Sequence, residues 1–201
     1  MIQYNHLVGQ RIVLGNYVQE SESKEPVGWT VLAAKGSMLL LCTEAIIESM
    51  CWDEDAEWSG CQWNDSFIYQ CLNGEFFHEL FSETERLVVE ASDSLSEKDE
   101  DEGGLFLLSE EQLDQYALLL FGPLKGYQTA YVKKNSSSDF CWLRSDYRDL
   151  RHAFCYSMKE KGLTIEEVDK FENLGIRPAM WIDADILEEF LPEVLREFKD
   201  L

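Results

Sequence analysis

No apolar run in this chain exceeds six residues, and successive runs switch between the period of a strand and that of a helix. Gln10-Arg11-Ile12-Val13-Leu14 and Val27-Gly28-Trp29-Thr30-Val31-Leu32 alternate as half-buried strands do, whereas Phe76, Phe77, Leu80 and Phe81 recur on one helical face. The mixture predicts an α+β fold of short antiparallel strands and several helices. Runs near Met38 to Leu41 and Ala117 to Phe121 are far too short to span a bilayer.

Turn and cap signals divide the chain. Glu20 to Pro26 reads as a polar turn joining the first two strands into a hairpin, and Gly36-Ser37 as a tight turn before a central strand from Met38 to Cys42. Thr43 to Asp65 reads as a surface segment pinned by Trp52, Trp58 and Trp63. Asp65 or Ser66 can cap a short helix that Asn73-Gly74 ends, and Ser82-Glu83-Thr84-Glu85 starts another. Ser92 to Gly104 has almost nothing to bury and repels itself, so a mobile acidic loop is expected there. Leu105 to Leu108 is a short buried strand, Ser109-Glu110-Glu111-Gln112 a helix start, Lys134 to Asp139 a further loop and Ala153 to Tyr156 a strand. Thr164 to Glu167 reads as the opening of a short helix, and Gly175 to Trp181 as the last strand.

From Ala184 onward Ile186, Leu187, Phe190, Leu191, Val194, Leu195 and Phe198 share one helical face, which Pro192 should kink or restart. The expected organisation is one α+β domain over residues 1–183 and a C-terminal helical extension over 184–201. At 201 residues the chain can bury about 70% of its unfolded surface, so its core needs no metal or disulfide. The start, Met1-Ile2-Gln3-Tyr4-Asn5-His6, shows no secretory pattern, and cytoplasmic residence is the default expectation. Cys42, Cys51, Cys61, Cys71, Cys141 and Cys155 contain no C-x-x-C pair and read as small apolar core residues.

Chemistry-bearing patterns are sparse. His6, His78 and His152 lie singly, with no H-E-x-x-H, no G-x-S-x-G and no Gly-rich phosphate loop. Neither a metal, a cofactor nor a catalytic group is expected. Trp63-Asn64-Asp65 matches a triplet that ligates calcium in sugar-binding lectins, but it lies early in the chain without its companion triplet, so Asp65 reads as a helix cap. Charge is more informative. Seventeen Lys and Arg face 39 Asp and Glu, a formal net charge of −22. That surface repels nucleic-acid phosphates and anionic lipid, and steers a basic protein toward it. The densest acids, Asp53, Glu54, Asp55, Glu57 and Asp99, Glu100, Asp101, Glu102, are the expected interaction surface.

Two segments pair Trp with Arg: Cys141-Trp142-Leu143-Arg144-Ser145 and Gly175-Ile176-Arg177-Pro178-Ala179-Met180-Trp181. An arginine in such a place can stack on an indole while its fork binds a carboxylate or backbone carbonyls. Trp142, Arg144, Arg177 and Trp181 are therefore either satisfied linchpins between core strands or the frame of a pocket for a polar ligand. The first reading is preferred.

With Gly15-Asn16-Tyr17-Val18-Gln19, Trp29-Thr30-Val31-Leu32, Leu72-Asn73-Gly74-Glu75-Phe76 and Phe106-Leu107-Leu108-Ser109, these segments resemble a bacterial domain family of unknown function. Its members read G-x-Y-P-Q, W-x-V-L, L-N-x-x-F, F-L-L-S, W-L-R-S and G-V-R-P-A-L-W in that order. Val18 departs from the family proline, Tyr69 and Cys71 from an arginine and a tryptophan, and Lys159 to Leu174 is longer than the family turn. The ending is similar to C-type-lectin-like and formylglycine-generating-enzyme-like domains, which implies a lectin-like type of fold. The expected function is a non-catalytic module binding a basic protein, in the manner of a nucleic-acid-mimicking inhibitor. A glycan or small-ligand pocket and an enzyme are the alternatives, and a homodimer through the C-terminal helix is a further use of that element.

Overall fold

The structure is a computed structural model and describes residues 4–53, 62–95, 103–121, 127–135, 139–146, 151–157, 159–167 and 173–196. After a short 3-10 turn, β1 (Arg11–Val18), β2 (Lys24–Lys35) and β3 (Met38–Thr43) form an antiparallel meander. Gly15, at φ 75°, sits where the β1–β2 register shifts between Val13 and Asn16. A left-handed residue at that bulge favours glycine. Then follow β4 (Ala45–Ile46), β5 (Glu48–Met50), α1 (Phe67–Leu72), α2 (Glu75–Leu80) and α3 (Glu83–Leu95). Next come β6 (Leu105–Phe106), α4 (Glu110–Leu120), β7 (Tyr127–Gln128), α5 (Ala130–Asn135), β8 (Phe140–Asp146), β9 (His152–Ser157) and β10 (Gly162–Glu167). The chain closes with β11 (Leu174–Ile176), β12 (Ala179–Asp183), α6 (Ala184–Phe190) and α7 (Pro192–Leu195).

These strands make two five-stranded sheets, ordered β1-β2-β3-β12-β6 and β10-β9-β8-β11-β5, and a small parallel pair, β4 with β7. The expected α+β class of short antiparallel strands and helices is what the molecule shows. One core joins the layers; Trp29, Trp52 and Trp142 are its largest fully buried side chains. Among the described residues no helix is long and apolar enough to cross a membrane.

Four local expectations change. Gly175 to Trp181 is two strands in two sheets, because Pro178 has no N–H to continue a ladder and the chain steps across at Arg177-Pro178. Thr164 to Glu167 belongs to β10, where β-branched Thr164 and Ile165 pair with Cys155 and Phe154 of β9. The segment expected as a loop from Ser92 begins inside α3; Ser92 is fully buried, donates to Val88 O at 2.7 Å and accepts Asp183 N–H at 2.9 Å. Residues 96–102 of that segment lie outside the described residues. The segment after Cys42 contributes β4 and β5, and Trp52 is buried at its end.

Other signals hold. Ser66 caps α1 by accepting Tyr69 N–H, and Ser109 with Gln112 forms a reciprocal capping box on α4. Pro192 occupies the first turn of α7, as its fixed φ favours. The tail is integrated into the domain: α6 packs on α3 and β12, and Leu187 and Leu195 are buried. Tyr4 Oη donates to Asp185 Oδ1 at 2.6 Å, tying the two ends together. Within the described part of the tail, Leu187 and Leu195 thus face the chain's own core, with Phe190 left 59% exposed.

Candidate functional site

Arg177 lies where two chain segments pass side by side between the sheets, one from β3 to β5 and one from β11 to β12. Its Nε and Nη2 donate to Thr43 O at 3.1 and 2.8 Å, while Thr43 N–H donates back to Pro178 O at 3.0 Å. Ile47 N–H to Ile176 O adds a further stitch. Arg177 is 6% exposed, and its guanidinium sits 5.8 Å over the Phe121 ring, which stacks on Tyr156. A Cβ at Gly175 would collide with Ile46 and approach Phe140 O to 3.1 Å, so glycine permits this crossing.

Arg144 does a similar job elsewhere. Its backbone N–H reaches Leu108 O, its Nε donates to Leu107 O at 3.1 Å, and its Nη2 donates to Gln112 Oε1 at 3.2 Å. It lies 5.6 Å over Phe106. The arginine therefore clamps the strand-to-helix turn that Gln112 caps. Trp142 Nε1 donates to Met50 O at 3.0 Å, and its ring meets Trp52 edge-on at 5.5 Å. Trp181 is on β12 of the other sheet, opposite Leu40, with the Lys35 ammonium 5.7 Å above its ring. Each of the four residues is engaged within the chain.

Other motif residues are also scaffold. Asn73 imitates a strand partner for Leu105, accepting its N–H at 2.8 Å and donating to its carbonyl at 2.9 Å. Tyr17 Oη donates to Glu48 Oε2 at 2.6 Å, and Trp29 Nε1 to Leu14 O at 2.8 Å. Sequence reasoning missed Glu48 and the buried Asp183, which caps α6 through Asp185 N–H and Ile186 N–H and accepts from Ser37 Oγ. In a chain with 39 acids neither stood out; the only available signal was Asp183 directly before a helical pattern.

Buried thiols lie beside these strands. Burial pushes Cys141 up to about 11 and Cys155 up to about 12, from an ordinary value of 9.0. Burial raises Cys42 as well, against the opposing pull of Arg177. Protonated, enclosed sulfurs are poor nucleophiles, as core residues are. Their folded values exceed the unfolded one, so their contribution is complete below about pH 9 and is lost as pH climbs through 11 to 12. Tyr17 and Tyr4, raised first by burial and then by their bonds to Glu48 and Asp185, act in the same direction. Urea midpoints should be level from pH 7 to 9 and fall above it; a rising midpoint there would contradict this arrangement.

Other carboxylates stand at the surface. Arg11 pairs with Glu44 at 2.7 Å and Lys24 with Glu79 at 3.6 Å. Exposed positions of α3, α6 and α7 carry Glu83, Glu90, Asp185, Glu189 and Glu193. Arg86, on the same layer, turns to the His78 and Phe81 carbonyls. Leu87, 61% exposed, and Phe190, 59% exposed, stand on the packed pair α3 and α6. Beside them, a groove of about 350 Å³ between α2 and α3 has Phe77 and Val89 for its apolar wall and Glu90, Asp93 and His78 as polar lining. Of the acids singled out in the sequence, Asp53 is half-buried at the end of its segment, whereas Glu54, Asp55, Glu57, Asp99, Glu100, Asp101 and Glu102 lie outside the described residues.

The molecule is thus an α+β domain whose Trp/Arg segments are built into its frame and whose helical layer presents acid to solvent. The chain belongs to the DUF6273 family, a domain of unknown function, which matches residues 36–184. The match takes in the Leu72-Asn73, Phe106 to Ser109, Trp142 to Ser145 and Gly175 to Trp181 segments and begins after the β1–β2 hairpin. No curated protein and no solved structure matches the chain.

Proposed function

We propose that this chain is a non-catalytic, cytoplasmic interaction module whose acidic helical layer binds a basic protein. Occupation of a nucleic-acid-binding groove, as a phosphate mimic does, is the form of binding that suits such a surface. One observation carries the reading: α3, α6 and α7 carry five exposed carboxylates, and α3 and α6, which pack together, also carry exposed Leu87 and Phe190. Apolar residues ringed by charge are the layout of a binding patch, in which the apolar centre supplies affinity and the charges supply steering. The α2–α3 groove suits a Lys or Arg side chain, its stem along Phe77 and Val89 and its head near Glu90 and Asp93. The formal charge of −22 gives the long-range attraction.

The test is the affinity of a fluorescein-labelled Lys/Arg-rich peptide, measured by anisotropy at 50 and 200 mM salt. Binding should weaken about tenfold or more across that range, because the Debye length that screens exposed charges shortens from about 14 to about 7 Å. Equal affinity at both salts would remove the reading. A lectin-like pocket is the lesser alternative, since the aromatic and guanidinium groups expected to frame it bond within the chain.

A further inference from the structure

The peptide unit between Leu14 and Gly15 falls where the β1–β2 register shifts, between Val13 and Asn16. Side chains meet both of its polar groups. Leu14 O accepts the Trp29 indole N–H at 2.8 Å, and Gly15 N–H donates to Glu85 Oε1 at 2.8 Å. The other oxygen of the same carboxylate, Oε2, accepts Ser82 N–H at 2.7 Å, while Glu85 N–H donates to Ser82 Oγ at 3.4 Å. This is a capping pair at the start of α3, and the carboxylate that closes it also fastens the helix to β1. Gly15 is buried, and a Cβ there would come within 3.0 Å of Leu80 O and the Phe81 ring. The corner between α2 and α3 therefore seats directly on this peptide. Phe81 also stacks on Trp29 at 6.2 Å.

A second fastening lies two helical turns along. Ser92 Oγ accepts Asp183 N–H of β12, a strand of the same sheet as β1. Positions 85 and 92 are seven apart and share one helical face with buried Val88 and Val89. A helix held at two points on one face cannot roll about its axis, so its outward stripe, Glu83, Leu87 and Glu90, is held in place as well.

We propose that Glu85 is a positioning residue for the acidic helical layer: by holding the Gly15 N–H it sets where the α3 stripe stands. The inference rests on the reading of that layer as a binding surface. What matters at position 85 is an oxygen with the reach to meet Gly15, more than the charge. Without it a buried N–H is left unpaired. Glutamine still offers that oxygen, and Ser82, being exposed, can turn its own N–H to water.

The test compares wild type, Glu85→Ala, Glu85→Gln and Glu111→Ala, the last removing one exposed acid from α4. Gly15 amide exchange is followed by nuclear magnetic resonance, and affinity for the labelled Lys/Arg-rich peptide by anisotropy at 100 mM salt. Both are measured at a temperature where circular dichroism shows every variant folded. Glu85→Ala should speed Gly15 exchange about tenfold or more and weaken peptide binding about fivefold or more. Glu85→Gln and Glu111→Ala should leave the exchange unchanged and weaken binding no more than about twofold. Rescue by glutamine is what a general loss of acid would not give. A wild type that does not bind the peptide removes the reading of the layer itself. A wild type that binds, with Glu85→Ala no weaker than Glu111→Ala or with its Gly15 exchange unchanged, overturns the positioning role alone.

Discussion

Replacing Trp142 with alanine should lower the free energy of unfolding by about 4 kcal/mol. The side chain is 1% exposed, its indole N–H is spent on Met50 O, and its ring meets Trp52, which in turn meets Trp63 at 5.8 Å. Truncation opens a cavity bounded by rings that cannot follow the missing side chain inward. It also strands one carbonyl acceptor. Trp142→Phe keeps most of the ring contact and loses the hydrogen bond, so about 1–2 kcal/mol is expected. Urea denaturation monitored by circular dichroism measures both. A loss below about 1 kcal/mol for the alanine variant would mean that Trp142 is not structural and would restore the pocket reading.

Arg177→Ala should cost about 3 kcal/mol. Two bonds from a charged donor to one buried carbonyl disappear, and the Thr43 to Pro178 crossing loses its clamp. Lysine is not an adequate substitute. It has one ammonium in place of the planar fork that spans Nε and Nη2, so Arg177→Lys should still cost about 2 kcal/mol. An arginine kept for a ligand would give the opposite pattern: stability within about 0.5 kcal/mol of wild type in both variants. Arg144→Ala is expected to cost less, because Arg144 is half-buried and one of its acceptors, Gln112, retains the bond from Ser109 N–H.

The fold class and most helix starts were legible because they rest on local chemistry. Ser109 with Gln112, Ser66 before Phe67 and Pro192 at the head of α7 act within a single turn. For Arg144 and Arg177 local chemistry indicates only that an arginine in an apolar strand needs fixed partners. Their actual partners are carbonyls 37 and 134 positions away in sequence, which no local pattern encodes. The division of Gly175 to Trp181 between two sheets was hidden for the same reason. Pro178 announces a break, but the destination of each half depends on long-range pairing with β8, β5, β3 and β6. β10 was misread because Glu166 and Glu167 after Thr164 imitate a helix start, whereas pairing with β9 decides the outcome. As for the candidate surface, charge revealed its sign but not its place. Residues far apart in sequence, Glu83 and Glu90 on α3 and Glu189 and Glu193 on α6 and α7, are brought into one layer by the packing of α6 on α3.

That layer is the account's central claim, and a comparison of two variants tests it most directly. One neutralises Glu83, Glu90, Glu189 and Glu193 to glutamine. The other neutralises Glu22, Glu111 and Glu160 to glutamine and Asp114 to asparagine, four exposed acids on other elements. Both chains change net charge by the same amount, so non-specific attraction falls equally. Affinity for the labelled basic peptide at 100 mM salt should drop about tenfold or more in the first variant and no more than about threefold in the second. Equal losses in the two would contradict a defined acidic face and leave only the overall charge.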